Sequence, residues 1–204
     1  MNDPSTRCVL MRERALKANA KVRTLIDALR DLGCDPGPLR EFIECRPKSS
    51  QMMGGFSTSA RPRVLMMEEN LPYQSVFDAT LVHELVHAYD SCRAAVDWSN
   101  RYHLACTEVR ASSLSGECGF VQELNRGQPG FLKHHQACVR RRAALSVAMA
   151  YGGTKATEGD VSAVNAVYSR CYRDTAPFTH EDLVRSPAHL DNKVKALPPL
   201  LDES

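Results

Sequence analysis

No apolar run in this 204-residue chain approaches the roughly 18 residues that a bilayer-crossing helix needs, so the chain is expected not to thread a membrane. A large excess of one sign of charge is missing too. Lys+Arg 26 against Asp+Glu 24 leaves a formal net charge of +2, and with no nucleic-acid motif present, direct nucleic-acid binding is not expected. The absence of internal repeats and low-complexity tracts excludes solenoids and fibrous arrays. No C-x-x-C pair occurs, which removes zinc ribbons and thioredoxin-like sites. The first residues, MNDPSTRCVLMRER, lack the apolar segment of a secretory signal, and Asp3 and Glu13 within them read against a transit peptide.

What the chain does have is an ordinary globular composition, 43% hydrophobic and 25% charged, enough for one domain around a real core. It also has eight cysteines: Cys8, Cys34, Cys45, Cys92, Cys106, Cys118, Cys138 and Cys171. Their even number and scattered spacing suit structural disulfides formed in an oxidising compartment. The connectivity is one of on the order of a hundred pairings.

Apolar residues at helical intervals (Leu10, Leu16, Ala20, Leu25, Ala28, Leu29, Leu32) predict one helix over 9–32, stopped by Gly33. Residues 34–62 read as an irregular loop held by Cys34 and Cys45, and 63–68 (RVLMME) as a strand. Further helices are expected over 75–93, 102–125, 132–150 and 157–171, the last opened by Thr157 and Asp160 in a pattern resembling a capping box. The fold class is therefore α+β, mainly α with a small β-sheet. Past Pro177 the chain turns polar and periodicity is lost, which divides it into a domain over 1–178 and a polar C-terminal tail over 179–204.

The chemistry concentrates at His83-Glu84-Leu85-Val86-His87, an H-E-x-x-H run inside an apolar helical stretch. Histidines at i and i+4 sit one turn apart on one helix face and can share a metal ion. Neutral imidazole is a good Zn2+ ligand, and Glu84 stands where it can take a proton from a water whose pKa the metal lowers to about 7. A catalytic site needs a third protein ligand. Asp90 and Arg93 occupy the places where the extended metzincin motif has Gly and His, so that subclass is excluded. Glu108, on the next predicted helix, is the first choice for a His₂Glu set, with His103, Glu117 and Asp97 as alternatives.

Asp90, two turns from His83, is placed to accept a ligand's free ring N–H, and His134 or His135 to donate to an oxyanion. The strand at 63–68, preceded by Gly54-Gly55-Phe56, reads as the edge on which a peptide substrate could add. Arg140-Arg141-Arg142, with Lys133, forms a basic cluster able to face anionic lipid or an acidic partner.

At HELVHAYDSCRAAVDW, RYHLACTEVRASSLSGEC and KHHQACVRRRA the chain resembles the mitochondrial inner-membrane metalloproteases that process and help assemble the ATP synthase membrane sector, called Ku-autoantigen-binding proteins in animals. The resemblance runs from about Cys8 to Phe178. It implies a zincin-like metalloprotease with His83 and His87 as Zn2+ ligands and Glu84 as catalytic residue, and it supports Glu108 as third ligand. It further implies a peripheral enzyme on the intermembrane-space side of the mitochondrial inner membrane, imported by oxidative trapping. Its substrate would be the N-terminal pro-segment of a mitochondrially encoded ATP synthase subunit. The alternative function is a non-proteolytic assembly chaperone for the same membrane sector.

Overall fold

A computed structural model describes residues 4–47, 52–119 and 134–185. The expected first helix is two, α1 (Pro4–Ala18) and α2 (Ala20–Asp31). The break falls at Asn19, whose backbone is extended (φ −84, ψ 111) and whose side chain accepts from the Val22 N–H, making it the N-cap of α2. Gly33 follows the C-cap Leu32, as expected.

The stretch read as loop contains a one-turn helix, α3 (Leu39–Phe42), and two strands, β1 (Ile43–Arg46) and β2 (Gly54–Ser57). With β3 (Arg63–Met67) they make a mixed sheet in the order β1-β3-β2, β1 parallel and β2 antiparallel to β3. The expected strand is therefore present but central. Flanked on both sides, β3 cannot receive a substrate strand; the edge beside the functional helix is β2.

Helix α4 (Gln74–Arg93) runs beneath the sheet and buries Phe77, Leu81, Val82, Leu85 and Val86. Apolar residues on most of its faces make it the central helix of the molecule. Helix α5 (Arg101–Leu114) ends earlier than expected, at Ser115-Gly116; the remainder of the expected helix, from 120 to 125, lies outside the described residues. Then come α6 (His134–Ala150), α7 (Glu158–Arg173) and the short α8 (His180–Arg185). Thr157 caps α7 in a reciprocal capping box with Asp160. Leu183 of α8 packs on the core, while residues 186–204 of the expected tail lie outside the described residues. Among the described residues no helix is long and apolar enough to cross a membrane.

Two apolar clusters organise this frame. One joins α1, α2, the sheet, α4 and the end of α5 (Ala111, Leu114); the other joins the start of α5, α6 and α7. All eight cysteines are paired, as Cys8–Cys45, Cys34–Cys92, Cys106–Cys171 and Cys118–Cys138. Cys34 and Cys45 thus hold their stretch through two different partners.

The basic cluster on α6 is largely absorbed by the fold. Arg140 lies 3.5 Å from the ring centre of Tyr168 and donates to Asn165, and Arg142 pairs with Glu117. Arg141 donates to Cys138 Sγ at 3.9 Å, so all three guanidiniums have partners within the molecule, and Lys133 lies outside the described residues.

Candidate metal centre

Helix α4 presents His83 and His87 one turn apart, their ring centres 4.8 Å from each other. Glu108 reaches them from α5: its Oε2 is 3.3 Å from His83 Nε2 and its Oε1 is 3.5 Å from His87 Nε2. One ligand atom from each of these three residues lies within 4.8 Å of the other two. His87 and Glu108 are buried and His83 nearly so.

The outer ring nitrogens are engaged in two different ways. His83 Nδ1–H donates to Glu117 Oε1 at 3.2 Å, and Glu117 Oε2 accepts from Arg142 Nε at 3.0 Å and Nη2 at 2.9 Å. His87 Nδ1 faces Thr107 Oγ1 at 2.9 Å, and the Thr107 hydroxyl donates its only proton to Asp90 Oδ2 at 2.9 Å. Thr107 must therefore accept from His87, which fixes the proton on Nδ1 and leaves the Nε2 lone pair facing Glu108. Asp90 is itself held by Arg110 at 3.0 Å and Arg93 at 2.9 Å.

This arrangement calls for a cation. Glu108 Oε2 lies 3.3 Å from His83 Nε2 and is among the buried oxygens that no hydrogen bond satisfies. Burial pushes the His87 imidazole down to about 4, against the pull of Glu108, so it is a neutral nitrogen donor at pH 7. Burial also opposes charge on His83, yet Glu117 and Glu108 hold its pKa well above the ordinary imidazole value. Two nitrogens and a carboxylate oxygen, buried and converging, match the donor set of a catalytic Zn2+ site.

Glu84 lies beside this group under the sheet edge. Burial pushes its carboxyl up to about 7; charge on His83 and a hydrogen bond from the Phe56 N–H pull it down, while Glu108 and Glu117 push it up. The strand passes so close that a Cβ on Gly54 would stand 2.7 Å from Thr80 Cγ2 and 3.2 Å from Glu84 Oε1. Only glycine allows that approach. The Met67 N–H bonds the Met53 carbonyl at 2.9 Å, and Gly54 pairs with Met66 and Phe56 with Val64. In such an antiparallel register Gly54 and Phe56 turn their N–H and C=O groups away from β3, toward the free edge. Trp98 closes one side, 5.9 Å from the His87 ring and 6.1 Å from Phe56.

Of the alternatives for third ligand, none joins the group. Glu117 faces the outer nitrogen of His83. His103 Nδ1, in the first turn of α5, accepts from the Asp97 N–H, and Asp97 Oδ1 accepts from Ser99 in the exposed α4–α5 loop. Asp90 serves His87, through Thr107, and has no direct bond to a ligand ring. His135 is spent on the Tyr172 hydroxyl at 2.8 Å, and the His134 side chain lies outside the described residues. Sequence reasoning missed Thr107, Arg110 and Arg142. Thr107 had a signal, being the residue before Glu108; the two arginines had none, since nothing local marks a helix arginine as buried.

Comparison with known proteins agrees in extent with these elements. Residues 6–179 match the Peptidase M76 family. A human protein named Mitochondrial inner membrane protease ATP23 homolog is 39% identical over 173 residues, 84% of this chain and 69% of that protein. Its zebrafish (Danio rerio) namesake is 37% identical over 173 residues, 84% and 66% of the two chains. The Aspergillus clavatus protein named Mitochondrial inner membrane protease atp23 is 43% identical over 175 residues, 84% and 71%. No solved structure matches the chain.

Proposed function

We propose, from the premise that this chain belongs to the Peptidase M76 family, that it is a zinc metalloendopeptidase of zincin type in which His83, His87 and Glu108 hold Zn2+ and Glu84 is the general base. That it is a peptidase follows from the family. The observation carrying the rest is the buried Glu108 oxygen without a hydrogen-bond partner, facing imidazoles whose other nitrogens are already occupied.

Zinc in such a site polarises the scissile carbonyl and activates water. Glu84 takes the proton of the attacking water and returns it to the departing amine, a double duty suited to a carboxyl held near 7. The peptide is held as an added strand on β2, by the outward N–H and C=O groups of Gly54 and the outward C=O of Phe56. The Phe56 N–H that steadies Glu84 lies on that same edge, so strand addition and placement of the base share one element.

The substrate in this reading is the N-terminal pro-segment of a mitochondrially encoded ATP synthase subunit, cut at the intermembrane-space face of the inner membrane by a peripherally attached enzyme that also assists membrane-sector assembly. Names of the relatives as mitochondrial inner membrane proteases support the compartment, and four disulfides support an oxidising side of it.

Elemental mass spectrometry on oxidised protein, with cleavage of a peptide spanning the processing junction, tests the assignment. The parent is expected to carry one zinc, His87→Ala and Glu108→Gln to lose it, and Glu84→Gln to keep it while losing cleavage by about 10²-fold or more. Zinc retained in Glu108→Gln would remove Glu108 from the ligand set. Full biological complementation by a cleavage-dead Glu84→Gln would move the essential role to the assembly chaperone.

A further inference from the structure

The two metal-facing histidines are steadied by unequal means. The His87 partner, Thr107, lies inside α5 next to Glu108, so the helix sets its position and its bond to Asp90 orients the hydroxyl. The His83 partner, Glu117, stands beyond the end of α5, after a turn in which Gly116 takes φ 87. Past a helix end the backbone has no ladder to keep a side chain in register.

The Glu117 N–H bonds the Ser115 hydroxyl at 3.3 Å, and two stronger constraints act on its side chain and neighbour. Arg142 of α6 grips the far oxygen of Glu117 with two nitrogens, at 3.0 and 2.9 Å. The neighbouring Cys118 is bonded to Cys138, which precedes Arg142 by one turn of the same helix. Both members of the carboxylate–guanidinium pair are thus anchored within a residue or a turn of one covalent link. Glu117 is buried, so the pair is shielded from the solvent that weakens surface ion pairs.

We propose that Glu117 is the positioning residue for His83, and that the Cys118–Cys138 disulfide, by fixing Glu117 against Arg142, sets the affinity of the centre for its metal. The inference rests on the zinc reading above. A carboxylate accepting the outer N–H of a ligand imidazole fixes the tautomer and ring orientation and raises the basicity of the coordinating nitrogen.

Competition with a chromogenic chelator on the full oxidised chain gives the zinc dissociation constant. Glu117→Gln, which keeps shape and one acceptor but loses the charge, is expected to weaken zinc about 10- to 100-fold. Glu117→Asp is expected to recover part of the loss, and Cys118→Ser/Cys138→Ser to weaken zinc by a similar factor. Because disulfide and carboxylate act through one route, adding Glu117→Gln to the serine pair is expected to cost less than about twofold more. Cobalt substitution supplies a readout that fold stabilisation alone would not move: the visible bands of Glu117→Gln should differ from those of the parent. Zinc binding by Glu117→Gln within about twofold of the parent, with unchanged cobalt bands, would overturn the inference and leave the proposed function standing. A well-folded parent that binds no zinc would overturn both.

Discussion

The two apolar cores differ in what fills them and in what joins them. The first is built from large side chains, among them Leu25, Ile43, Met66, Phe77 and Leu85, around the sheet and α4. The second is built from small ones, Ala105, Ala143, Ala144, Val147 and Ala163, which let α5, α6 and α7 approach closely. Each holds two of the disulfides, and none crosses from one to the other. Ala111 and Leu114 of α5 pack into the first core, and beside them runs a set of polar links: His83 with Glu117, both histidines with Glu108, Asp90 with Thr107 and Arg110, and Lys21 with the Leu114 carbonyl. Two covalently stiffened bodies thus meet at a seam of buried charge, and the candidate metal centre lies in that seam. Rigid flanks hold the ligands at fixed separation, which preorganised sites require.

The strongest way to break this division is at Arg110, whose side chain is 1% exposed. It donates to Asp90 at 3.0 Å and to the carbonyls of Asp174 and Ala176. Arg110→Met leaves Asp90 buried with only the partly exposed Arg93 for charge compensation. Loss of one partner from such a pair costs about 3–5 kcal/mol, read as a fall in the urea midpoint at unchanged m-value. A loss below about 1 kcal/mol would place the seam's stability in apolar packing instead.

Titration of the seam is a smaller effect of known sign. Burial lowers the Lys21 ammonium from 10.5 to about 8, although it donates to the Leu114 carbonyl at 2.8 Å. Below about pH 8 folded and unfolded chains both carry the proton, and the folded state bears the whole cost of the buried charge. Between there and 10.5 the folded chain loses the proton first, the unfolded chain binds more protons, and stability rises with pH. From about pH 8 to about pH 9.5 the gain is about 2 kcal/mol. Denaturant titrations of the parent and Lys21→Met at both ends of that window check it; the rise should vanish in the variant.

How far the sequence discloses this arrangement depends on the range of the signal. The H-E-x-x-H helix is legible because its histidines are one turn apart and its apolar residues carry the period. The Thr157–Asp160 cap is legible for the same local reason. Asn19 goes unnoticed because helix-forming residues flank it and the apolar period continues across the break. β1 and β2, four residues each and the second beginning Gly-Gly, are too short to show alternation. The roles of Glu117 and Arg142 depend on a turn at Gly116 and on one disulfide among many possible pairings, so no window of sequence contains them.

The smallest effect sharpens the comparison most, because it tests whether a core can be weakened without disturbing the seam. Thr157 Oγ1 accepts from the Asp160 N–H at 3.3 Å, Asp160 Oδ2 accepts from the Thr157 N–H at 2.9 Å, and Arg101 pairs with Asp160 at 3.2 Å. This reciprocal cap satisfies two donors at the start of α7, a helix of the second core. Thr157→Ala removes the hydroxyl and should cost about 1 kcal/mol, seen by thermal or urea unfolding. No contact of the candidate metal centre involves Thr157, so zinc affinity should stay within about twofold of the parent, as expected for independent sites. If affinity falls in step with stability, the cores and the seam unfold as one unit and the division fails; if it holds, the seam owes its geometry to the links beside it, with Cys118–Cys138 foremost among them.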